Sequence, residues 1–115
     1  WMRPRLEDLT HEQMWVVALD GQNRVRATRR VAEGGLHGCA VGARDILRVV
    51  LLHAASGFVL VHNHPSGDPS PSSEDIAMTR VVLEASELLG VALLDHVVIA
   101  RGGHRSMLDL GLLGA

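Results

Sequence analysis

The chain predicts an α/β fold: a single mixed β-sheet sandwiched by helices, built by one domain over residues 1–115. Three observations predict it. Short valine-rich apolar runs recur between turn signals, as strands require. Two longer stretches between them repeat apolar residues at helical spacing. The composition, 47% hydrophobic and 21% charged with a mean hydropathy of +0.17, supplies a packed core and argues against disorder.

The elements follow in order. Residues 3–11 are polar and read as an arm or a short helix end. Gln13 to Leu19 (QMWVVAL) reads as a buried strand, with Trp15 packed in it, and Asp20-Gly21-Gln22-Asn23 supplies turn chemistry. Arg24 to Ala32 alternates Val25, Ala27 and Val31 with arginines, a half-exposed strand paired with the first as a hairpin. Gly34, Gly35 and Gly38 mark a loop. From Ala43 to Ala55, Ile46, Val49, Val50 and His53 recur at helical spacing in a segment apolar nearly all round, which predicts a largely buried helix. Phe58 to His62 reads as a central strand, and the prolines and glycine of residues 65–71 make a loop. A helix is expected from Ser73 to Leu89, stopped by Gly90. Val91 to Ala100 returns as a strand, Arg101-Gly102-Gly103 turns, and Ser106 starts a short last helix or strand.

Composition excludes several classes. The longest apolar runs are far too short to cross a bilayer. No apolar segment follows Arg3, Pro4 and Arg5 as a signal peptide requires, so the expected compartment is cytoplasmic. The opening Trp1 fits a piece of a longer product. Cys39 is the only cysteine, which rules out an internal disulfide and a cysteine-based zinc site; with no base nearby it reads as an inert packed thiol. A net charge of −2 and a pI near 6.4 give no general reason to bind nucleic acid. Arg24, Arg26, Arg29 and Arg30 cluster on the second strand and read as a solvated edge, with a phosphate-binding or partner-docking edge as the alternative.

The chemistry concentrates in VHNHPSGDPSPSSED, residues 61–75. His62 and His64 lie one residue apart at the end of a buried strand, so both rings point to one side. Asp75 returns a carboxylate at the start of the next helix. Two imidazoles and one carboxylate leave a tetrahedral zinc (Zn2+) one open position for water, the arrangement of a catalytic site. Asp75 also fits a capping box with Ser72, and the two roles are compatible. Ser72 is either that N-cap or a hydroxyl aimed at a developing oxyanion, with Ser66, Ser70 and Ser73 as competitors. Asn63 faces away from the histidines and reads as a loop or backbone hydrogen-bonder.

HNHPSGDPSPSSED resembles the JAMM motif of the JAB/MPN metalloprotease fold, a cytidine-deaminase-like architecture, and most closely its RadC-like branch. MWVVALDGQNRV, GARDIL, LLDHVVIA and SMLDLGLL extend the resemblance over almost the whole chain. The resemblance implies zinc held by His62, His64 and Asp75, with Ser72 helping to stabilise the oxyanion. It also implies a general base just before the first strand, where Glu12 stands; by spacing alone Glu7 and Glu33 remain available. Asp95-His96 matches the same branch and reads as a structural hydrogen-bonded pair rather than as a partner of the zinc histidines.

The function expected is zinc-dependent hydrolysis of peptide or isopeptide amide bonds, with a peptide or protein substrate and no membrane partner; a homodimer is compatible with it. The alternative is a DNA-repair-associated protein that binds DNA or a protein partner without hydrolysis. The helix-hairpin-helix region such proteins carry upstream is absent from these 115 residues. A zinc-deaminase signature needs a paired-cysteine motif that one cysteine cannot supply. A non-catalytic module on a degenerate site is disfavoured because every motif position is filled.

Overall fold

The structure, a computed structural model, describes residues 12–33 and 42–113. Five strands and two helices are present there: β1 (Gln13–Leu19), β2 (Val25–Glu33), α1 (Ala43–Leu52), β3 (Gly57–Asn63), α2 (Ser73–Leu89), β4 (Ala92–Ala100) and β5 (Gly103–Ser106). They form one mixed sheet in the order β2-β1-β3-β4-β5. Pairing is antiparallel except between β3 and β4, which run parallel. A parallel pair needs a long crossover, and α2 provides it.

Strand alternation divides the buried residues between the two faces of the sheet. Met14, Val16, Ala18, Phe58 and Leu60 pack with Ile46, Leu47 and Val50 of α1 and Val82 of α2, so both helices cover one face. Val17, Leu19, Val61 and Ile99 form a second cluster, with Trp15 against it as expected of a packed aromatic. The β1–β2 hairpin turns through Asp20, whose carboxylate accepts from Gln22 N (2.8 Å) and Arg24 N (2.9 Å). β2 is the sheet edge, in agreement with a solvated arginine strand: Arg24 pairs with Asp20, and Arg26 donates to His53 O.

Three expectations change. α1 ends at Leu52 rather than Ala55: His53 caps it, and Ala54 takes a left-handed φ of 50°. Nor is α1 apolar all round. It buries one stripe, Ile46, Leu47 and Val50, while Arg44, Asp45 and Arg48 are exposed and Leu52 is 70% exposed. It lies on the outside of a sheet, and one face is all a sheet can cover. Finally, Ser106 closes β5 instead of starting an element, because β5 pairs back on β4 with Ala100 opposite Gly103. α2 runs from Ser73 to Leu89 as expected, and Gly90 takes the left-handed conformation (φ 74°) that ends it. The polar arm at 3–11, the glycine loop and Cys39 lie outside the described residues. No helix of the described residues is long and apolar enough to cross a membrane.

The one-sided packing of α1 gives a paired prediction. Ile46→Ala is expected to destabilise the protein by about 2–5 kcal/mol, and Leu52→Ala by no more than about 0.5 kcal/mol, in urea unfolding. Similar losses from both would mean that α1 is buried all round.

Candidate metal centre

His62 occupies the next-to-last position of β3, on the same side of the strand as Phe58 and Leu60, and is fully buried. The chain stays extended for one more residue: His64 N donates to Ile99 O at 2.8 Å, continuing the ladder with β4. His64 therefore faces the same way as His62. The loop beyond is then folded back. Gly67, at φ 93°, donates to His64 O and accepts from Gly102 N, both at 3.2 Å. A Cβ on Gly102 would lie 2.7 Å from Gly67 O, so this approach of loop to β4–β5 turn needs glycine.

The loop delivers the chain to the start of α2. Ser72 Oγ accepts from Asp75 N (3.0 Å), and Asp75 Oδ2 accepts from Ser72 N (2.8 Å), the capping box the spacing predicts. That box fixes the carboxylate opposite the two rings. Asp75 Oδ2 lies 2.9 Å from His64 Nε2, and Oδ1 lies 3.3 Å from His62 Nε2. The two Nε2 atoms are 3.0 Å apart.

These separations and donor types suit a metal. Ligands bound at 2.0–2.1 Å in a tetrahedron stand about 3.3 Å from one another, close to what the three pairs show. The donor set is two neutral-capable imidazoles and one carboxylate, and it is the group of residues among those described that can hold an ion. Both rings are anchored by their other nitrogen: His64 Nδ1 donates to Asp68 O (3.0 Å), and His62 Nδ1 meets His96 Nε2 (2.7 Å). Such outer contacts orient ligating imidazoles.

The electrostatics agree. Burial pushes the Asp75 carboxyl up, but the His62 and His64 rings beside it outweigh that and hold the group ionised, well below the usual carboxylate range. The hydrogen bond to Asp75 raises His64, against the opposing effect of burial. His96, fully buried and beside His62, is held well below the ordinary histidine value, first by loss of solvent.

An open cavity above this cluster is lined by Glu12, His64, Ser72 and Asp75, with Asp68 and Glu74 at its rim. Glu12 thus meets the ligand residues despite standing fifty positions upstream. Asn63 sets that meeting: its Oδ1 accepts from Gln13 N at 2.6 Å, in the interior, and so ties the residue after Glu12 to the end of β3. This is the backbone hydrogen-bonding expected of Asn63. Of the competing bases, Glu33 lies opposite Gln13 on β2, and Glu7 falls outside the described residues. Ser66 and Ser70 also line the cavity, but Ser72 is the serine that caps Asp75.

One reading is corrected. Asp95 is structural, as expected: it accepts from His96 N (2.7 Å), Leu108 N (3.0 Å) and Ser106 Oγ (2.5 Å). His96 is not simply its partner. Neighbouring side chains on a strand point to opposite faces, so the His96 ring turns away from Asp95 and meets His62. Its other nitrogen reaches Thr79 Oγ1 at 2.5 Å. Sequence reasoning missed Thr79; its position four residues after Asp75, one helical turn along the same face, was the available signal.

A strand-loop-helix unit presenting two histidines and a helix-start aspartate around one point defines a candidate metal-binding α/β domain. The chain belongs to the RadC-like JAB domain family, whose model matches residues 1–112. It is 42% identical over 108 residues to a UPF0758 protein of Pelobacter propionicus, covering 94% of this chain and 47% of that protein. It is 38% identical over 113 residues to UPF0758 protein STH371 of Symbiobacterium thermophilum, covering 98% and 48%. A UPF0758 protein of the archaeon Methanosarcina acetivorans is 38% identical over 112 residues, covering 97% and 49%. The chain spans about half the length of these relatives.

A bound divalent metal would join β3 to α2 in the folded state alone. At a concentration 100-fold above its dissociation constant, such an ion is expected to stabilise the protein by about 2.7 kcal/mol. In thermal melts the gain should disappear on chelation and in Asp75→Asn. An equal gain in Asp75→Asn would place the ion elsewhere.

Proposed function

We propose that this domain is a zinc-dependent hydrolase of peptide or isopeptide amide bonds. The observation that carries the reading is the convergence of His62, His64 and Asp75 on one point, with His64 and Asp75 lining a cavity that Glu12 also lines. His62, His64 and Asp75 would hold the ion, and three protein ligands are the number a catalytic zinc site uses. When bound, zinc is a Lewis acid that polarises a carbonyl and lowers the pKa of water to ~7.

The chain's own groups do the rest. Glu12 takes the proton of the attacking water and passes it to the departing amine nitrogen, so one carboxylate serves as base and then as acid. Ser72 Oγ accepts from Asp75 N, and its own O–H is spare for the oxygen that becomes negative when the carbonyl carbon turns tetrahedral. Asn63, through Gln13 N, keeps Glu12 at the cavity wall. The reaction class is the one the family resemblance implies, and this set of groups supports it; the substrate is a peptide or protein carrying an accessible amide.

Glu12→Gln separates the roles. It should keep about one zinc per chain by mass spectrometry while losing roughly 10²- to 10⁴-fold in cleavage of peptide or isopeptide substrates. His64→Ala and Asp75→Asn should lose both metal and activity. Full activity in Glu12→Gln, or no amide cleavage by the zinc-loaded protein, contradicts the proposal.

A further inference from the structure

We infer that Thr79 and His96 form a hydrogen-bond relay that sets the tautomer of His62, keeping the proton on Nδ1 and the lone pair of Nε2 turned to the metal position. The inference deepens the metal reading above and rests on it.

The polarity follows link by link. Thr79 lies one turn into α2 from Asp75, and its hydroxyl donates to Asp75 O at 2.6 Å. A backbone carbonyl only accepts, and a threonine hydroxyl has one proton, so that proton is committed. His96 Nδ1, 2.5 Å from the same oxygen, must then be the N–H that donates to it. The His96 ring is fully buried, and its nitrogens meet His62 and Thr79 rather than a carboxylate. A ring so placed carries one proton, and with that on Nδ1 its Nε2 accepts. His62 Nδ1, 2.7 Å away, must supply the donor. His62 Nε2 is left bare, facing His64 Nε2 and Asp75 Oδ1.

His64 is held by a shorter contact: its Nδ1 donates to Asp68 O, an obligate acceptor, and its Nε2 faces Asp75 Oδ2 at 2.9 Å. The opposite polarity would spoil the site. If Thr79 donated to His96 Nδ1, His96 Nε2–H would donate to His62 Nδ1, and the His62 proton would sit on Nε2, in the metal position. The contact between Thr79 and Asp75 O selects between the two states. The relay is closed: it starts at the main chain of one ligand residue, Asp75, and ends on the ring of another, His62. Thr79 and His96 are therefore positioning residues that act through His62.

The test uses the metal-free protein labelled with ¹⁵N at histidine, together with zinc titration. Ring nitrogen shifts should report His62 protonated on Nδ1 in the wild type. Thr79→Val keeps the shape but removes both hydrogen bonds; it should raise the Nε2–H population and weaken zinc binding about 10- to 100-fold. Thr79→Ser restores the hydroxyl and should return both readouts towards wild type. His96→Gln, whose carbonyl can accept from His62, should lose less affinity than His96→Leu. An Nε2–H tautomer in the wild type, or wild-type zinc affinity in a folded Thr79→Val, overturns the relay. An Nδ1–H tautomer in a wild type that takes up no zinc supports the relay and overturns the hydrolase reading instead.

Discussion

The parallel pairing of β3 and β4, with α2 as the crossover between them, is the constraint on which the rest depends. A crossover helix must return from the carboxyl end of its first strand, so the end of β3 and the start of α2 are forced to be neighbours. His62 and His64 stand at the first place and Asp75 at the second. The strand period points both rings one way, and the capping box holds the carboxylate opposite them. β4 lies beside β3, which brings His96 against His62. Four polar side chains, from β3 and the residue after it, α2 and β4, thereby meet without any needing an unusual backbone.

Such a cluster is costly to bury unless each polar atom has a partner. Among the described residues none of the buried side-chain nitrogens and oxygens lacks one. The polar cluster also sits at one edge of the apolar core rather than inside it. Leu60 and Phe58 continue the His62 side of β3 into the core with Ile46, Val50 and Val82. The core thus fixes the strand, and the strand fixes the rings. On the opposite side of the same strand, Asn63 carries the order across to β1 and so to Glu12.

Much of this was legible in the sequence because it rests on short-range rules. The strands β1 and β3, the α2 helix with its Gly90 stop, and the Ser72–Asp75 box each follow from local spacing, and the histidine pair followed from strand alternation. What failed needed tertiary knowledge. The exposed leucines of α1 resemble buried ones in a periodicity analysis, and only a single sheet face to cover makes Leu52 an outer residue. His96 was read by its neighbour Asp95, yet a strand sends adjacent side chains to opposite faces, and its true partner is on β3. Thr79 gave almost no signal, since a threonine inside a helix is ordinary until its hydroxyl is seen between a carbonyl and an imidazole. Glu12 was placed by family resemblance; the spacing of its glutamates could not choose it.

Membership of the RadC-like JAB family joins this domain to longer relatives named only as UPF0758 proteins, so the site itself has to carry the functional argument. The site is a metal centre only if His62, His64 and Asp75 together hold one zinc ion. The most direct test is an anomalous difference map from crystals grown with zinc, recorded on both sides of the zinc absorption edge. One peak is expected, about 2.0–2.1 Å from His62 Nε2, His64 Nε2 and an Asp75 oxygen. A protein saturated with zinc that shows no peak there, or a peak bound to other side chains, would contradict it.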